Sequence, residues 1–459
     1  MKNNNRLIKT IYMAGRKSAT ALLLLVAGIA GNAWAQNPLI MDQFTADPSA
    51  RVFGDRIYVY PSHDIYCSEN NGRKNWFCMP DYHVFSSTDL QEWTDHGMIL
   101  SQEDVPWGDP DANSMWAPDA IERNGKYYFY FPTRIKDASA GESGFSIGVA
   151  IADNPEGPFE PQQEPIKGVQ GIDPNVFIDK DGQAYLYWSQ GKIFGAKLKD
   201  NMLELASEPK VFEVPQKGHI EGPWVFERNG KYYLTYPHVA NNTERLEYAT
   251  GNNPLGPFEH QGVIMDESPN NTWTNHHSIT EFRDQYLLFY HDSELSPNFD
   301  KNRSIRADSL FFTEDGLIEK VIPTHRGVGI TDSSNKIQFD RYSERSEFGV
   351  SIRFVDTTDT FQGWKVVLEE PEAWVKYNSV DFASAKSKIA KFRARSSGGG
   401  MLQLMTGRKE ELLSEVEIEE NSKWKIYTAP VQKEVKGIQD LILKLKNGDK
   451  VEVDWLTLE

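Results

Sequence analysis

The sequence has few cysteines, no excess of basic residues and no apolar stretch long enough to cross a membrane. Its 459 residues include two cysteines and carry a formal net charge of −17. Nucleic acids and anionic membranes attract basic patches, so we expect this acidic chain to bind neither nucleic acid nor a membrane. The two cysteines allow either one disulfide or two free buried thiols.

The longest apolar run lies near the N-terminus, at about residues 19–30. It is shorter than the roughly 20 residues that a membrane-spanning helix needs. A basic segment without acidic residues precedes it, and Ala33-Trp34-Ala35 follows as a small-residue cleavage motif. This order is typical of a signal peptide. We therefore predict a signal peptide over residues 1–35, cleavage before Gln36, and export to the periplasm or the extracellular space.

Beyond residue 35 the sequence lacks a sustained helical stripe, and short apolar runs alternate with Gly, Pro, Asn and Asp, which indicates an all-β chain. A turn followed by a tyrosine-rich strand occurs five times, at intervals of about 50 to 70 residues, a spacing typical of propeller blades. The five copies begin at Gly54, Asn124, Asp181, Asn229 and Arg283.

The repeats predict a five-bladed β-propeller over residues 36–330. A polar stretch at residues 331–335 is interpreted as a linker, and the different strand rhythm of residues 336–459 predicts a β-sandwich of the jelly-roll type. A disulfide between Cys67 and Cys78 would cross the loop between the first two strands of the first blade.

A polar residue precedes each repeated turn by five to eight positions. These residues are Asp47, Asp119, Asp173, Glu221 and His277. Inner strands of propeller blades line a central channel, so residues at matching places in different blades converge there. A carboxylic acid and a carboxylate on opposite sides of a sugar could act as general acid and general base of an inverting glycosidase. A third carboxylate nearby would raise the pKa of the acid.

These motifs resemble glycoside hydrolase family 43, the five-bladed propeller enzymes that act on arabinose- and xylose-containing polysaccharides. The resemblance spans about residues 38–330. Its most specific segments are Ala46-Asp47-Pro48, Trp116-Ala117-Pro118-Asp119, Ile172-Asp173-Pro174, Glu221-Gly222-Pro223, Asn275-His276-His277-Ser278 and Arg303-Ser304-Ile305-Arg306. It implies that Asp47 is the general base, Asp173 the residue that modulates the pKa of the acid, and Glu221 the general acid.

The same resemblance suggests further site residues. It implies that Trp116 forms a hydrophobic wall for the sugar, that Arg303 approaches the substrate, and that His277 lies in the channel, where it holds a water or a calcium ion. Packing between blades and a hydrogen-bonded core histidine are the structural alternatives for Trp116 and His277. Phe44 and Trp107 are expected to border the pocket, whereas Asp119 is expected to end its strand. No cofactor is required on this reading, with a structural calcium as the one candidate ion.

The C-terminal segment resembles a family 6 carbohydrate-binding module, through Ala373-Trp374-Val375-Lys376-Tyr377, Trp424-Lys425-Ile426-Tyr427 and Val453-Asp454-Trp455. In such modules aromatic rings stack on sugar faces. Tyr377 and Trp424 are the expected sugar contacts. Glu452 stands where the family commonly has a ligand-binding asparagine, so a sandwich that only packs against the propeller is an equal alternative.

Together these features predict an exported, monomeric, inverting exo-glycosidase that removes terminal α-L-arabinofuranosyl units from plant cell-wall polysaccharides or oligosaccharides. A β-D-xylosidase on the same scaffold is the main alternative. A non-catalytic glycan-binding propeller is the alternative from another class. The exo mode is favoured by long insertions at residues 63–83 and 101–115, which could close the channel into a pocket.

Overall fold

The computed structural model describes residues 33–34, 36–67, 74–136, 144–214, 218–270, 272–382, 387–406 and 411–459. Most of the predicted signal peptide lies outside these residues. Ala33–Trp34 forms a short strand beside Glu92 and Trp93, and the predicted cleavage before Gln36 would remove it. Within the described ranges no helix is long and apolar enough to span a membrane.

Five antiparallel sheets follow one another along the first two thirds of the chain, which confirms the propeller. They are blade 1 (Phe44–Phe53, Arg56–Asp64, Asp81–Ser87, Glu92–Ser101), blade 2 (Asp119–Arg123, Lys126–Arg134, Phe145–Ala152, Glu160–Pro161), blade 3 (Ile172–Ile178, Ala184–Ser189, Ile193–Lys197, Lys210–Val211), blade 4 (Trp224–Arg228, Lys231–Val239, Glu244–Gly251, Glu259–Met265) and blade 5 (Ser278–Phe282, Gln285–Asp292, Ser304–Leu310). A 3-10 turn, Gln102–Asp104, follows blade 1.

The five repeated turns each join the first two strands of a blade. In blades 2 and 4 both turn residues have positive φ, at Asn124-Gly125 and Asn229-Gly230. Asn and Gly tolerate this conformation, and such two-residue turns match the twist of the strands that they connect. In these two blades the turn residues therefore set the register of the inner hairpin.

Apolar side chains fill the interfaces between consecutive blades. One buried cluster lies at each interface, and the cluster between blades 5 and 1 joins Phe289 and Ile305 to Ile57 and Val59. Because the last blade packs on the first, the sheets form a closed ring. This closure brings the first strands of all five blades to one central axis.

The C-terminal region is a sandwich of two sheets around one buried core. One sheet contains Thr331–Asp332, Glu344–Arg345, Trp374–Asp381, Gly400–Thr406, Glu411–Ile418 and Ile438–Gly448, and the other contains Val350–Phe354, Trp364–Leu368, Ile389–Ser396, Asn421–Pro430 and Val451–Leu458. A second 3-10 turn spans Thr360–Gln362.

The structure corrects two details of the sequence analysis. Thr331–Asp332, interpreted as part of a linker, is a strand that pairs in parallel with Val380 and Asp381 of the sandwich. The disulfide between Cys67 and Cys78 is present, but it closes the loop between the second and third strands of blade 1, not between the first and second. The first hairpin is too tight to hold it, because the two-residue turn Gly54-Asp55 connects those strands.

Candidate active site

A cavity of about 290 Å³ opens at the propeller axis. Each blade contributes side chains to its wall. These include Asp47 of blade 1, Trp116 before blade 2, Asp173 of blade 3, Glu221 before blade 4, and His276 and Arg303 of blade 5. The three carboxylates predicted from the repeat therefore meet in one pocket, although 174 positions separate the first from the last.

Asp47 and Asp173 occupy equivalent irregularities in blades 1 and 3. In each case an Asp-Pro pair interrupts the register of the first hairpin, and the aspartate has a positive φ of 51° at Asp47 and 57° at Asp173. Such bulges redirect a side chain out of the regular alternation, and positive φ is unfavourable for residues other than glycine. Local backbone strain of this kind is common at functional sites.

In blade 4 the equivalent position is Gly222, with a φ of 52°, and the carboxylate comes from the residue before it, Glu221. A Cβ atom at Gly222 would lie 2.9 Å from His276 Nδ1 and from the ring of Pro237. Because Asp47 and Asp173 adopt the same φ, it is the lack of space for a side chain that requires glycine here. Glu221 thus enters the pocket from a different backbone position than the aspartates do.

Asp47 is buried in a set of hydrogen-bond donors. Its Oδ1 accepts from Arg303 Nη1 at 2.9 Å and its Oδ2 accepts from Ser62 Oγ at 2.9 Å. Burial disfavours the ionised carboxylate, but Arg303, His291, His276 and Ser62 together outweigh burial and lower the pKa of Asp47. Asp47 is therefore ionised at neutral pH and suited to act as a base.

Arg303, which donates to Asp47, has a second carboxylate partner. Its guanidinium also donates to both oxygens of Asp64, from Nε at 2.9 Å and from Nη2 at 2.9 Å, and lies 4.8 Å from the centre of the Phe77 ring. Bidentate geometry of this kind orients both partners. Burial opposes the charge of Arg303, but Asp47 and Asp64 outweigh it and raise its pKa, so the cation persists.

His291 supports Asp47 from the other side. The backbone N–H of Asp47 donates to His291 Nδ1 at 2.9 Å, which leaves the ring proton on Nε2, facing the carbonyl oxygen of Thr274 at 3.1 Å. Burial and the positive charge of Arg303 lower the pKa of His291 to about 3. This histidine is therefore a neutral acceptor that holds the strained backbone at Asp47.

Glu221 belongs to a group of interacting carboxyl groups. Its Oε2 lies 2.8 Å from His219 Nε2, and a carboxylate oxygen of the fully buried Glu244 lies within 4.8 Å of a Glu221 oxygen. Burial raises the pKa of Glu221, but His219, Glu244 and His276 outweigh burial and lower it. Burial and the negative charge of Glu221 raise the pKa of Glu244 well above its ordinary value.

Asp173 joins this group through the backbone. Its Oδ2 accepts from Ser189 Oγ at 2.9 Å and from the N–H of Gly222 at 3.0 Å. Burial and the charge of Glu221 raise the pKa of Asp173 well above its ordinary value. The protons of Asp173, Glu221 and Glu244 consequently titrate as a set and not as independent sites.

The structure places His276, not His277, on the pocket wall. His277 is buried behind it, with Nε2 2.6 Å from Thr235 Oγ1. Because Thr235 donates its single hydroxyl proton to the carbonyl oxygen of Trp224, His277 Nε2 carries the ring proton and Nδ1 keeps a lone pair. Nδ1 has no hydrogen-bond partner among the residues that the structure describes.

This buried nitrogen fits a bound water or a hydrated cation on the axis. Ca²⁺ prefers six to eight oxygen ligands, and the described residues place no group of three His, Cys, Asp or Glu ligands that includes His277. A calcium ion here would have His277 as a single side-chain ligand of this kind and would depend on water for most of its coordination.

Phe44 and Trp107 were expected to border the pocket, but neither lines it. Phe44 begins the strand that carries Asp47 and packs against Phe361 of the sandwich at a centroid distance of 4.8 Å. Trp107, in the insertion of residues 101–115, stacks on Phe131 at a centroid distance of 6.0 Å. Both residues therefore pack against other aromatic rings outside the pocket.

Asp119 begins the first strand of blade 2, where the sequence analysis expected it to end a strand, and its contacts are structural. It is fully buried and accepts hydrogen bonds from Ser49 and Arg51 of blade 1 and from the backbone of Val176 in blade 3. One carboxylate thus connects three consecutive blades beside the axis. This connection holds the strands that carry Asp47 and Asp173 in a fixed relation.

The sandwich does not present Tyr377 to a sugar. The residue is fully buried, its hydroxyl lies 2.8 Å from Thr331 Oγ1, and Arg326 covers its ring at 4.4 Å. Tyr377 fails as a stacking platform because its strand turns this position towards the core. Trp424 is half-buried, and Arg393 and Arg395 lie over its ring at 4.7 and 4.6 Å.

Glu452, which replaces the expected asparagine, accepts hydrogen bonds from Arg395 at 2.6 Å and lies 3.0 Å from Lys365 Nζ. It is thus engaged in ion pairs on the same sheet face as Trp424. The carboxylate of Glu452 is therefore paired with cations, and arginine side chains cover the Trp424 ring, so neither group is open to a sugar there.

Sequence reasoning missed several residues of the site. Ser62, Asp64, His219, Glu244 and His276 lie in strands or turns without a repeat signal of their own. His219 could have been noticed, because it precedes Glu221 by two positions. Glu244 could not, because its partners come from other segments of the chain.

Comparisons with known proteins agree with this geometry. The family model described as glycosyl hydrolases family 43 matches residues 35–318, and the model described as carbohydrate binding module (family 6) matches residues 345–459. The chain belongs to glycosyl hydrolases family 43 and carries a C-terminal family 6 module. It is a glycoside hydrolase of the xylosidase/arabinosidase type.

Among its relatives is a xylosidase/arabinosidase of Humicola insolens, 40% identical over 331 residues that cover 61% of this chain and 98% of the relative. A solved β-xylosidase/α-arabinofuranosidase from a compost microbial metagenome, in complex with xylotriose and in a calcium-free form, is 37% identical. It matches 62% of this chain and 97% of its own with a TM-score of 0.55.

An arabinoxylan arabinofuranohydrolase of Bacillus subtilis shares the fold over almost the whole length. It covers 93% of this chain and 99% of its own with a TM-score of 0.55, at 22% identity. This likeness extends to both the propeller and the sandwich.

Proposed function

We propose that this member of glycosyl hydrolases family 43 is an exo-acting, inverting β-D-xylosidase that also releases α-L-arabinofuranosyl units, with xylo-oligosaccharides as its main substrates. One observation carries the proposal: Asp47 and Glu221 line the same small cavity. Asp47 is ionised and held by Arg303, and Glu221 belongs to the group of carboxyls that titrate together. This proposal changes the order of the sequence-based expectation, in which arabinofuranoside came first, because the named relatives combine xylosidase and arabinosidase activity.

Asp47 acts as the general base. Its depressed pKa keeps the carboxylate ionised, and the fixed orientation given by Arg303 and Ser62 leaves its oxygens available to accept a proton from water. The activated water attacks the anomeric carbon from the side opposite to the leaving group. The configuration at that carbon is therefore inverted.

Glu221 acts as the general acid. It comes from blade 4, three blades from Asp47 along the chain. His219 and Glu244 lower the pKa of Glu221, and the raised pKa values of Asp173 and Glu244 keep protons in the same coupled group. When the glycosidic oxygen enters the pocket, Glu221 delivers a proton of this group to it as the bond breaks. Asp173 also fixes the acid through the N–H of Gly222, one residue from Glu221.

The size and lining of the cavity support cleavage at chain ends. Its volume of about 290 Å³ lies at the lower limit of the range of about 300–1,000 Å³ that is typical for small-molecule sites. Trp116, Phe77 and Met79 provide apolar walls, and two of these side chains come from the insertion of residues 63–83. Such a closed pocket suits one terminal sugar better than the middle of a polymer.

Two further features belong to the same proposal. We expect export to the periplasm or the extracellular space, on the basis of the N-terminal signal. We also expect that a calcium ion, if bound, uses His277 Nδ1, where it would contribute positive charge near the pocket.

The test is sugar release from 4-nitrophenyl β-D-xyloside and 4-nitrophenyl α-L-arabinofuranoside by the parent and by Glu221→Gln. We expect both substrates to be hydrolysed, the xyloside with the higher kcat/KM, and both activities to be lost in the variant. Equal release by parent and variant would refute Glu221 as the acid. Loss of activity with retained sugar binding would separate catalysis from a binding-only propeller.

A further inference from the structure

A second group of metal-ligating side chains lies on blade 1, outside the pocket. His63 is on the second strand of the blade, and Asp81 and His83 are on the third. One potential ligand atom of each residue lies within 4.8 Å of the others. The side chains are partly buried, with 24%, 17% and 18% of their surfaces exposed.

We propose that His63, Asp81 and His83 form a binding site for a divalent transition metal ion of the Zn²⁺ type. Two imidazoles and one carboxylate, with water as the fourth ligand, are a common donor set for Zn²⁺. Tetrahedral coordination at about 2.0–2.1 Å places ligand atoms about 3.3 Å apart. Asp81 Oδ1 lies 2.8 Å from His63 Nδ1 and 3.8 Å from His83 Nε2, on either side of that value.

The surroundings of His83 favour this assignment. Its Nδ1 is buried and makes no hydrogen bond of normal geometry with any residue in the described ranges. The oxygen facing it, Asp95 Oδ1, is 3.5 Å away. Asp95 is itself held by the N–H of Gly97 at 2.7 Å and by Gln43 Nε2 at 3.3 Å. A carboxylate behind the outer nitrogen of a histidine fixes the tautomer that leaves the inner nitrogen free for a metal.

The location gives the ion a structural role. His63 and Asp81 stand at the two ends of the loop that carries the disulfide and the pocket residues Trp76, Phe77 and Met79. The neighbouring residue Asp64 points the other way and holds Arg303. An ion bound here would hold the two ends of this loop together. It would also lie beside Asp64, which binds the arginine that holds Asp47.

The test measures Zn²⁺ binding by equilibrium dialysis and the visible spectrum after addition of Co²⁺. We expect about one equivalent of Zn²⁺, a tetrahedral Co²⁺ spectrum and a higher melting temperature with Zn²⁺. His83→Phe keeps the ring that stacks on Phe85 but removes the ligand, so all three signals should disappear. Asp95→Asn should weaken Zn²⁺ binding about 10–100-fold.

Two controls make the outcome decisive. His96→Phe, a nearby histidine outside the cluster, should keep the site, and His63→Phe serves as a second ligand variant if His83→Phe does not fold. His219→Ala removes the other candidate group, His219, Glu221 and Glu244. Absence of Zn²⁺ binding in the parent, or binding that persists in His83→Phe and His63→Phe but is lost in His219→Ala, would overturn the proposal.

Discussion

The Oδ2 atom of Asp173 accepts a hydrogen bond from the backbone N–H of Gly222 at 3.0 Å. This contact crosses from blade 3 to blade 4 and lands one residue after Glu221. Asp173 therefore acts on the proposed acid in two ways, through its charge and through the position of the backbone. The two effects can be separated by substitution.

Asp173→Asn should lower kcat about 10²- to 10³-fold with little change in KM. The amide oxygen can still accept from Gly222, so the backbone keeps its position, while the carboxyl group that titrates together with Glu221 is lost. Steady-state kinetics on 4-nitrophenyl β-D-xyloside test this. Ser189→Ala removes only one hydrogen bond to Asp173 and should have a much smaller effect. A kcat within a few-fold of the parent in Asp173→Asn would rule out the electrostatic role.

Arg303→Lys should lower the free energy of unfolding by about 3–5 kcal/mol. Asp47 and Asp64 would remain buried, but they would lose the guanidinium that donates hydrogen bonds to both of them. Urea denaturation measures this loss. Asp64→Asn, which removes one partner but keeps the arginine on Asp47, is the matched control and should retain more activity. An unchanged unfolding midpoint in Arg303→Lys would contradict the stabilising role of the bonds from Arg303 to Asp47 and Asp64.

The same variant should change the pH dependence. The folded-state pKa of Asp47 is depressed, so its ionised form contributes stability above its unfolded pKa, and this contribution is lost as pH falls through the folded pKa. Without the full effect of Arg303 the folded pKa rises. The acid limb of kcat/KM should then move to higher pH, and a limb that stays in place would show that another group sets it.

His219→Ala should move the alkaline limb of kcat/KM to higher pH, because His219 stabilises ionised Glu221 and lowers the pKa of the acid. Glu244→Gln is the matched variant. The raised pKa of Glu244 makes this side chain a neutral donor, which glutamine imitates, so the limb should stay close to that of the parent. A limb that moves to lower pH in His219→Ala would contradict this description.

Tyr377→Phe should reduce the free energy of unfolding by about 1 kcal/mol, because the hydroxyl loses its bonds to Thr331 and Gln36 in the interior. Binding of soluble xylan, measured by affinity electrophoresis, should not change, since the ring is inaccessible. Trp424→Ala is the companion variant on the exposed sheet face. Weaker xylan binding in Tyr377→Phe at unchanged stability would restore this residue as a sugar contact.

The fold followed from the sequence because each blade repeats the same local signals. Turns such as Asn124-Gly125 and Asn229-Gly230 favour one hairpin geometry. The number of such turns along the chain gives the number of blades. The family resemblance then named Asp47, Asp173 and Glu221. The structure places all three in one cavity, although the sequence around each residue does not by itself indicate that they lie close together.

The finer register could not be predicted. Asp47, Asp173, Gly222 and His276 are structurally equivalent, so Glu221 and His277 are each displaced by one position from the place that the repeat suggests. A bulge changes which face a side chain takes without changing the apparent pattern. Partners such as Glu244 are joined to the site by tertiary contacts alone, which no local pattern encodes.

The most direct test of the proposed mechanism is the anomeric form of the first product. Proton NMR of xylotriose during the first minutes of hydrolysis distinguishes α- from β-xylose before mutarotation mixes them. Attack by a water on Asp47, opposite to Glu221, predicts that α-D-xylose appears first. Initial release of β-D-xylose would show net retention and contradict the assignment of Asp47 as a base that activates water.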